Sequence, residues 1–394
     1  MMARRAERMN ILFFVSSMHA GGAERVAATL SGGWVRNGHR VTLAPTYTRK
    51  GKLFYTLDET VSVEWVADRL GRLARTPLAP FIKLLALRRL VREQRPDVIV
   101  SFLTNVNVMV MMATWGLNVP VIVCERTNPG ASSSATPRLQ RLRRWLYPRA
   151  DMVTVQADAS IAPMMKQVPG IRRLAVVPNP LPPDLPPPSE SGPGSSLPLG
   201  AGQRHRLVAM GRLVPAKRYI GLVKVFESLA QRFQDWELVI WGDGPLRGEL
   251  EQHVRRAGLE SRVHLPGRTS TPWSELLASD LFVLTSEVEG FPNALIEAMA
   301  LGLPCVSVDC PSGPKEITRD GQDAALVPLN DGAALANALA DLMADPAARA
   351  DLGRRAAQGV RQRYGLEKVL AHWDVLFRDI GVDSASGKSL ASDK

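Results

Sequence analysis

The chain has little cysteine, no long apolar run and no metal-binding signature. Of its 394 residues three are cysteines, Cys124, Cys305 and Cys310, odd in number and without metal-ligand spacing. That excludes a disulfide-stapled scaffold and reads as buried, reduced thiols of a cytosolic protein. No segment approaches the run of about 20 apolar residues that spans a bilayer. The start, MMARRAERMNILFFV, has the basic head of a secretory signal, but the run ILFFV is shorter than an h-region and fits a first strand. No Asp-x-Asp pair is present to carry a metal-bound diphosphate, and no G-x-G-x-x-G dinucleotide fingerprint. Aromatics make up 6% and form no row interleaved with the basic residues, so nothing in the chain is built for base stacking, and a nucleic-acid partner is not expected.

What remains is a soluble globular composition, 45% hydrophobic and 22% charged. The length suits two domains of roughly 180 residues each. The formal charge of +11 is unevenly placed. Residues 1–180 hold 26 Lys/Arg against 11 Asp/Glu, a net of +15, and the rest hold 23 against 27, a net of −4. An anionic partner of the first half alone is therefore expected. Within it APFIKLLALRRLVREQRPD (79–97) and RLQRLRRWLYPR (138–149) both read as basic amphipathic helices. Each alone would serve as a core-facing stripe with a solvated back; together they point to peripheral contact with the anionic cytoplasmic face of an inner membrane.

The boundary between the halves is PNPLPPDLPPPSESGPGSSLPLGAGQ (178–203), too rich in Pro, Gly and Ser to hold a packed element. On each side short apolar runs alternate with helical stretches, six runs per half from ILFFV (11–15) to AALVP (324–328), the pattern of parallel α/β layers. The expected architecture is a Rossmann-like domain over 1–180, a linker over 181–203, a second Rossmann-like domain over 204–365, a helix over 366–382 and a disordered tail over 383–394. The last helix has apolar spacing suited to lying on the second domain or back over the first. Open α/β sheets bind ligands at the carboxyl ends of their strands, so the site is expected in an interdomain cleft.

Several loops carry candidate chemistry. HAGGAERVAATL follows the first strand, and Gly21 and Gly22 allow close backbone approach to an anion at a helix start, although turn geometry alone would also call for them. MGRLVPAKRY presents Arg212 and Lys217 on one strand-to-helix loop, two cations suited to a diphosphate. WGDGPLRGEL sets Gly242 and Gly244 around Asp243, either a tight turn with a cap or a ligand contact. In LFVLTSEVEGFPNALIEAMALG a strand ends in a loop bearing Glu289, and a helix then carries Glu297. Glu289 lies next to the amides of Phe291, Asn293 and Ala294, where a helix dipole favours a carboxylate by about 0.3–1 kcal/mol. Glu297, amid ALI and AMA, needs hydrogen-bond donors, which sugar hydroxyls would supply.

The two glutamates with seven residues between them, the GRL…K loop, the GDGP turn and the GGAER loop together resemble glycosyltransferase family 4, whose members have the GT-B fold, retain anomeric configuration and use nucleotide-sugar donors. The run VDCPSGPKEI (308–317) is similar to members that build exopolysaccharide, lipopolysaccharide core or lipid-linked oligosaccharide from UDP-hexoses or UDP-N-acetylhexosamines. The resemblance implies that Glu297 binds ribose, Glu289 the donor sugar, and Arg212 and Lys217 the diphosphate. Backbone amides of Gly22 and of Asn293, Ala294 and Leu295 would join them, with the base against Gly267 and Arg268. It implies no cofactor and no metal, the donor being a substrate, and front-face departure that needs charge stabilisation more than a side-chain base. One loop departs from the family, since CERTNPG places Glu125 and Arg126 where several members have a histidine. Either residue could address the transferred sugar or the acceptor, Arg126 could equally be a ligand for an acceptor phosphate, or the two could form a structural pair. A sugar-nucleotide epimerase of the same fold would need further acid/base side chains, and a non-catalytic sugar-binding relative would not need both glutamates and both cations.

Overall fold

The computed structural model describes residues 8–47, 49–51, 53–129, 136–188 and 204–382. The expected tail (383–394), most of the expected linker (189–203) and the signal-like start (1–7) lie outside the described residues. The chain forms two compact units, residues 1–182 together with 366–394, and residues 183–365.

The first unit holds a seven-stranded parallel sheet made of β1 (Asn10–Val15), β2 (Arg40–Pro45), β3 (Ser62–Val63), β4 (Val98–Phe102), β5 (Val121–Cys124), β6 (Met152–Val155) and β7 (Leu174–Val176), in the order β3-β2-β1-β4-β5-β6-β7. The second holds β8 (His205–Met210), β9 (Trp236–Trp241), β10 (Val263–Gly267), β11 (Leu281–Leu284), β12 (Cys305–Asp309) and β13 (Ala325–Pro328), in the order β10-β9-β8-β11-β12-β13. Both are doubly wound, and in both the order reverses beside the first strand, between β1 and β4 and between β8 and β11. Helices on both faces bury the strands, which is why they read as unbroken apolar runs. β4 and β5, for example, are buried at every position. The two-residue edge strand β3 was not expected from the sequence; it pairs Ser62 with Thr42 and Val63 with Leu43.

The C-terminal helix Leu366–Asp379 belongs to the first unit, settling the choice its apolar spacing left open. Trp373 meets Trp34 of the helix Gly22–Arg36 edge to face at 5.4 Å, and a Cβ on Gly33 would lie 2.7 Å from the Leu370 methyl, so glycine lets the two helices touch. The start of the expected linker is packed in the second unit, with Leu185 buried and the Pro186 carbonyl accepting from Arg361.

The two basic helices expose part of the stripe expected to face the core. Ala79–Gln94 buries Leu87, Leu90 and Val91 but leaves Phe81 and Leu85 exposed. Pro137–Leu146 buries Leu146 and Arg143 and leaves Leu142 and Trp145 outside. Among the described residues no helix is long and apolar enough to cross a membrane. The three cysteines are buried free thiols, and burial pushes Cys124 and Cys310 up to about 12.

Candidate functional site

In the second unit the sequence reversal between β8 and β11 opens the sheet's carboxyl edge, and the loops after those two strands meet there. The loop after β8 turns through Pro215–Lys217 and is tied to the loop after β11 twice: Thr285 Oγ1 donates to the Lys217 carbonyl at 2.7 Å and the Glu287 amide to the Ala216 carbonyl at 2.7 Å. This brings Lys217 Nζ to 2.5 Å from Glu289 Oε1, with side chains 22% and 14% exposed. Two residues 72 apart in sequence thus form one half-buried ion pair. Tyr219 lies beneath, its hydroxyl pushed well up by burial and then by the Glu289 charge. A Cβ on Gly211 would sit 2.8 Å from that hydroxyl and 3.2 Å from Lys217 Cε, so glycine makes room for the pair.

The run after β12 supports Glu289 from behind. Ser312, at φ 61°, donates to the Glu289 carbonyl at 2.6 Å, and a Cβ on Gly313, at φ 102°, would lie 2.9 Å from Pro292 Cδ. The Pro-Ser-Gly sequence therefore shapes the loop that carries Glu289. Phe291 buries its ring edge to face on Tyr364 at 5.3 Å, anchoring the same loop. Pro292 caps the helix Asn293–Ala300. The Leu295 amide donates to the Pro292 carbonyl at 3.1 Å, so of the three amides expected at this helix start Leu295's is already engaged.

Glu297 is 2% exposed, and its Oε2 accepts from Trp273 Nε1 at 3.0 Å. The sequence reading asked for donors from a sugar; the protein supplies one itself, from a tryptophan at the start of the helix Pro272–Leu277 that the reading missed. Only the nearby Thr-Pro helix start hinted at that turn.

Arg212 is exposed on the same loop as Lys217, and no ion pair is formed on its guanidinium among the described residues. The two glycines flanking Asp243 have a packing reason. A Cβ on Gly242, at φ 144°, would lie 1.8 Å from the Gly211 carbonyl oxygen, and one on Gly244 2.4 Å from that of Leu213. They let the loop after β9 lie on the loop that carries Arg212. Gly267 ends β10 at φ 97° and accepts the Gly242 amide at 2.7 Å, with exposed Arg268 beside it, 4.0 Å from Asp243.

In the first unit, Gly21 caps the helix Gly22–Arg36, but its amide and carbonyl both engage the Tyr55 hydroxyl, at 3.2 and 3.0 Å. Gly22 is the exposed member of the pair. Ser17 donates to Glu24 of the first turn at 2.8 Å.

Glu125 and Arg126 do not pair with each other. Glu125 is 2% exposed and accepts from Thr104 Oγ1 at 2.8 Å and from Tyr147 at 2.5 Å, with Arg143 3.7 Å away. Burial, then the Glu125 charge, push the Tyr147 hydroxyl well up. The partners come from three other elements, which no local spacing reveals. Glu125 is thus held by three protein groups rather than in a pair with Arg126. Arg126 turns away, donating to Asn179 Oδ1 and lying over the Phe102 ring at 4.1 Å. No group of three or more His, Cys, Asp or Glu side chains arranged for a metal is found among the described residues.

Both units also match known families and folds. The family model for Glycosyl transferases group 1 matches residues 200–359 and that for Glycosyltransferase Family 4 matches residues 20–185. The chain is 28% identical over 375 residues, 94% of this chain and 99% of the relative, to the GalNAc-alpha-(1->4)-GalNAc-alpha-(1->3)-diNAcBac-PP-undecaprenol alpha-1,4-N-acetyl-D-galactosaminyltransferase of Campylobacter jejuni. It is 26% identical to the amylovoran biosynthesis glycosyltransferase AmsD of Erwinia amylovora, covering 90% of this chain and 95% of that one. Among solved structures it superposes on sucrose-phosphate synthase from Thermosynechococcus elongatus with TM-score 0.79 at 19% identity, covering 95% and 99% of the two chains. It superposes on Anabaena HepE in complex with UDP and glucose with TM-score 0.76 at 21% identity, covering 94% and 100%. With two doubly wound Rossmann-like units of the GT-B kind and both family models in register along the chain, this protein belongs to the family 4 glycosyltransferases.

Proposed function

We propose that the protein is a retaining glycosyltransferase that moves a hexose or N-acetylhexosamine from a nucleotide-diphosphate sugar, with UDP as the nucleotide, to a lipid-linked or polysaccharide acceptor of a bacterial cell-surface glycan. The observation that carries the reading is the Lys217–Glu289 pair at the carboxyl edge between β8 and β11, with Glu297 held one turn further along the helix. Lys217 and the exposed Arg212 are the cations for the diphosphate, Glu289 accepts from hydroxyls of the donor sugar, and Glu297 accepts from the ribose. The base lies against Gly267 and Arg268, and Asn293 and Ala294 contribute backbone. In the step itself the acceptor oxygen bonds to the anomeric carbon, the bond to the diphosphate oxygen breaks, and the acceptor proton passes to that leaving oxygen on the same face. Fixed positive charge, worth most in a site shielded from water, does the stabilising work. No metal or cofactor is assigned a part, so activity is expected to survive a chelator.

The UDP complex of Anabaena HepE supports the choice of nucleotide, and the undecaprenyl-linked acceptor named for the Campylobacter jejuni relative supports the acceptor class. A lipid-linked acceptor also suits the first unit's basic surface. There Trp115 and Trp145, 48% and 52% exposed, stack at 5.0 Å with Arg149 over both rings, and the basic helix Ala79–Gln94 of the same unit leaves Phe81 and Leu85 exposed. Amphipathic rings beside arginines are what an anionic membrane interface takes up. Sedimentation with phosphatidylglycerol vesicles at low salt, lost with Trp115→Ala and Trp145→Ala together, tests that surface. For the site, a thermal-shift screen against UDP, GDP and their common sugars, followed by transfer assays, is decisive: Glu289→Ala is expected to remove transfer, and full activity in that variant would sink the donor-sugar role.

A further inference from the structure

Among the described residues Arg126 is a buried cation without an anion. It follows β5 at the carboxyl edge of the first sheet and is 8% exposed. Its Nη2 donates to Asn179 Oδ1 and its plane rests on Phe102, yet its Nε is buried with no hydrogen-bond partner. The nearest acid in sequence, Glu125, is spent on Thr104, Tyr147 and Arg143, and no ion pair to Arg126 is formed among the described residues. Burial pulls its pKa down to about 10, with Cys124 opposing. A guanidinium removed from water without a counter-charge is strongly unfavourable, and such a group in a native fold calls for an explanation.

A second orphan belongs to a residue bonded to the same Asn179 oxygen. Gln156, just past β6, donates through Nε2 to Asn179 Oδ1 at 2.7 Å, and its own Oε1 is buried without a partner. The Asn179 oxygen therefore bridges two side chains that each keep an unmet buried atom, the donor Arg126 Nε and the acceptor Gln156 Oε1. A ligand that satisfies both brings an oxyanion and, a few atoms away, a hydroxyl proton. A sugar phosphate carries that combination, whereas a free sugar lacks the charge and inorganic phosphate lacks the neighbouring hydroxyl. The net charge of +15 over residues 1–180 favours its approach.

The geometry points to a sugar-phosphate subsite at the carboxyl ends of β5, β6 and β7, formed by Arg126, Gln156 and Asn179, that takes the phosphate-bearing sugar of the glycan acceptor. It rests on the glycosyltransferase reading for the acceptor, but not for the chemistry of the subsite. Arg126 supplies a charge-assisted hydrogen bond to phosphate, Phe102 holds the guanidinium plane, and Gln156 reads the adjacent hydroxyl.

The test is calorimetric titration of the full chain with N-acetylglucosamine 1-phosphate, beside N-acetylglucosamine and inorganic phosphate. The sugar phosphate is expected to bind best, and Arg126→Gln to weaken it about ten-fold or more, the size of a lost charge-assisted hydrogen bond. Lys217→Ala should leave this binding unchanged; loss there would mean the probe reads the donor site, and would overturn the assignment. Gln156→Glu keeps the test open if Arg126→Gln does not fold. It places an isosteric carboxylate where the missing counter-charge belongs, so it should raise the melting temperature while weakening the sugar phosphate. Unchanged affinity or a lowered melting temperature in Gln156→Glu refutes the subsite. Arg126-dependent binding in a protein that transfers no sugar would instead refute the proposed function and leave the subsite standing.

Discussion

Replacing Lys217 by Met and Glu289 by Gln, singly and together, measures whether the second unit carries a coupled acid–cation pair or two independent surface charges. The charged atoms lie 2.5 Å apart with side chains 22% and 14% exposed. At an effective dielectric of about 20 the gross attraction at that separation is on the order of 6 kcal/mol. Desolvation and the ordering of a long lysine chain offset most of it, leaving a net coupling of about 1.5–3 kcal/mol, the range of charge-assisted hydrogen bonds. A pair of exposed charges would give less than about 1 kcal/mol. Lys217→Met should be the more damaging single change, because it strands a carboxylate above the buried Tyr219 hydroxyl. The four proteins are compared by urea unfolding, with hydrogen exchange at the β8 and β11 amides identifying the transition of the second unit. A coupling energy below about 0.5 kcal/mol would show that the pair is not formed in solution, and the argument for a preorganised diphosphate site would fall with it.

Three further outcomes are expected. Trp273→Phe removes the indole donor from the buried Glu297 carboxylate and should cost about 1–3 kcal/mol of stability while weakening nucleotide binding, both read in a thermal-shift titration. Gly242→Ala drives a Cβ to 1.8 Å from the Gly211 carbonyl at a φ of 144°, so destabilisation above about 3 kcal/mol is expected; an unchanged melting curve would restore a pure ligand role for that turn. Burial holds His39 below its ordinary 6.5, Asp374 opposing, and its Nδ1 accepts the Met9 amide at 3.3 Å, which favours the neutral ring. The unfolded chain then takes up the proton first, so stability of the first unit should fall as pH drops below 6.5 and level off below the folded value. His372, also held low by burial, adds to this fall, while Asp374, raised by burial, offsets it at lower pH. His39→Phe should flatten the slope, by at most one proton, in urea melts run across that window.

Much of the fold was legible because parallel strands buried on both faces must be written as continuous apolar runs. All twelve such runs became strands, and the one that escaped, Ser62–Val63, is a two-residue edge with too little burial to leave a pattern. In the site, Glu289, Arg212 and Lys217 stood out because loops at strand ends carry polar residues for reasons other than packing, and Glu297 because it is an acid within an otherwise apolar helix. Glu125 also reads as a loop acid, and what the sequence does not show is that Thr104, Tyr147 and Arg143 converge on it from elsewhere in the chain. Trp273, Gln156 and Asn179 left no local signal, since each matters only through a partner at least 23 residues away.

The sequence alone determined the two α/β units, the basic first half and the pair of glutamates, because burial periodicity and charge are local properties of the chain. Only the tertiary structure decided that Lys217 meets Glu289, that Arg126 is left without a counter-charge among the described residues, and that the last helix returns to the first unit to pack Trp373 on Trp34. Those are contacts between distant segments, set by strand order and by the shape of the surfaces that must be covered, and neither is written in any single stretch of residues.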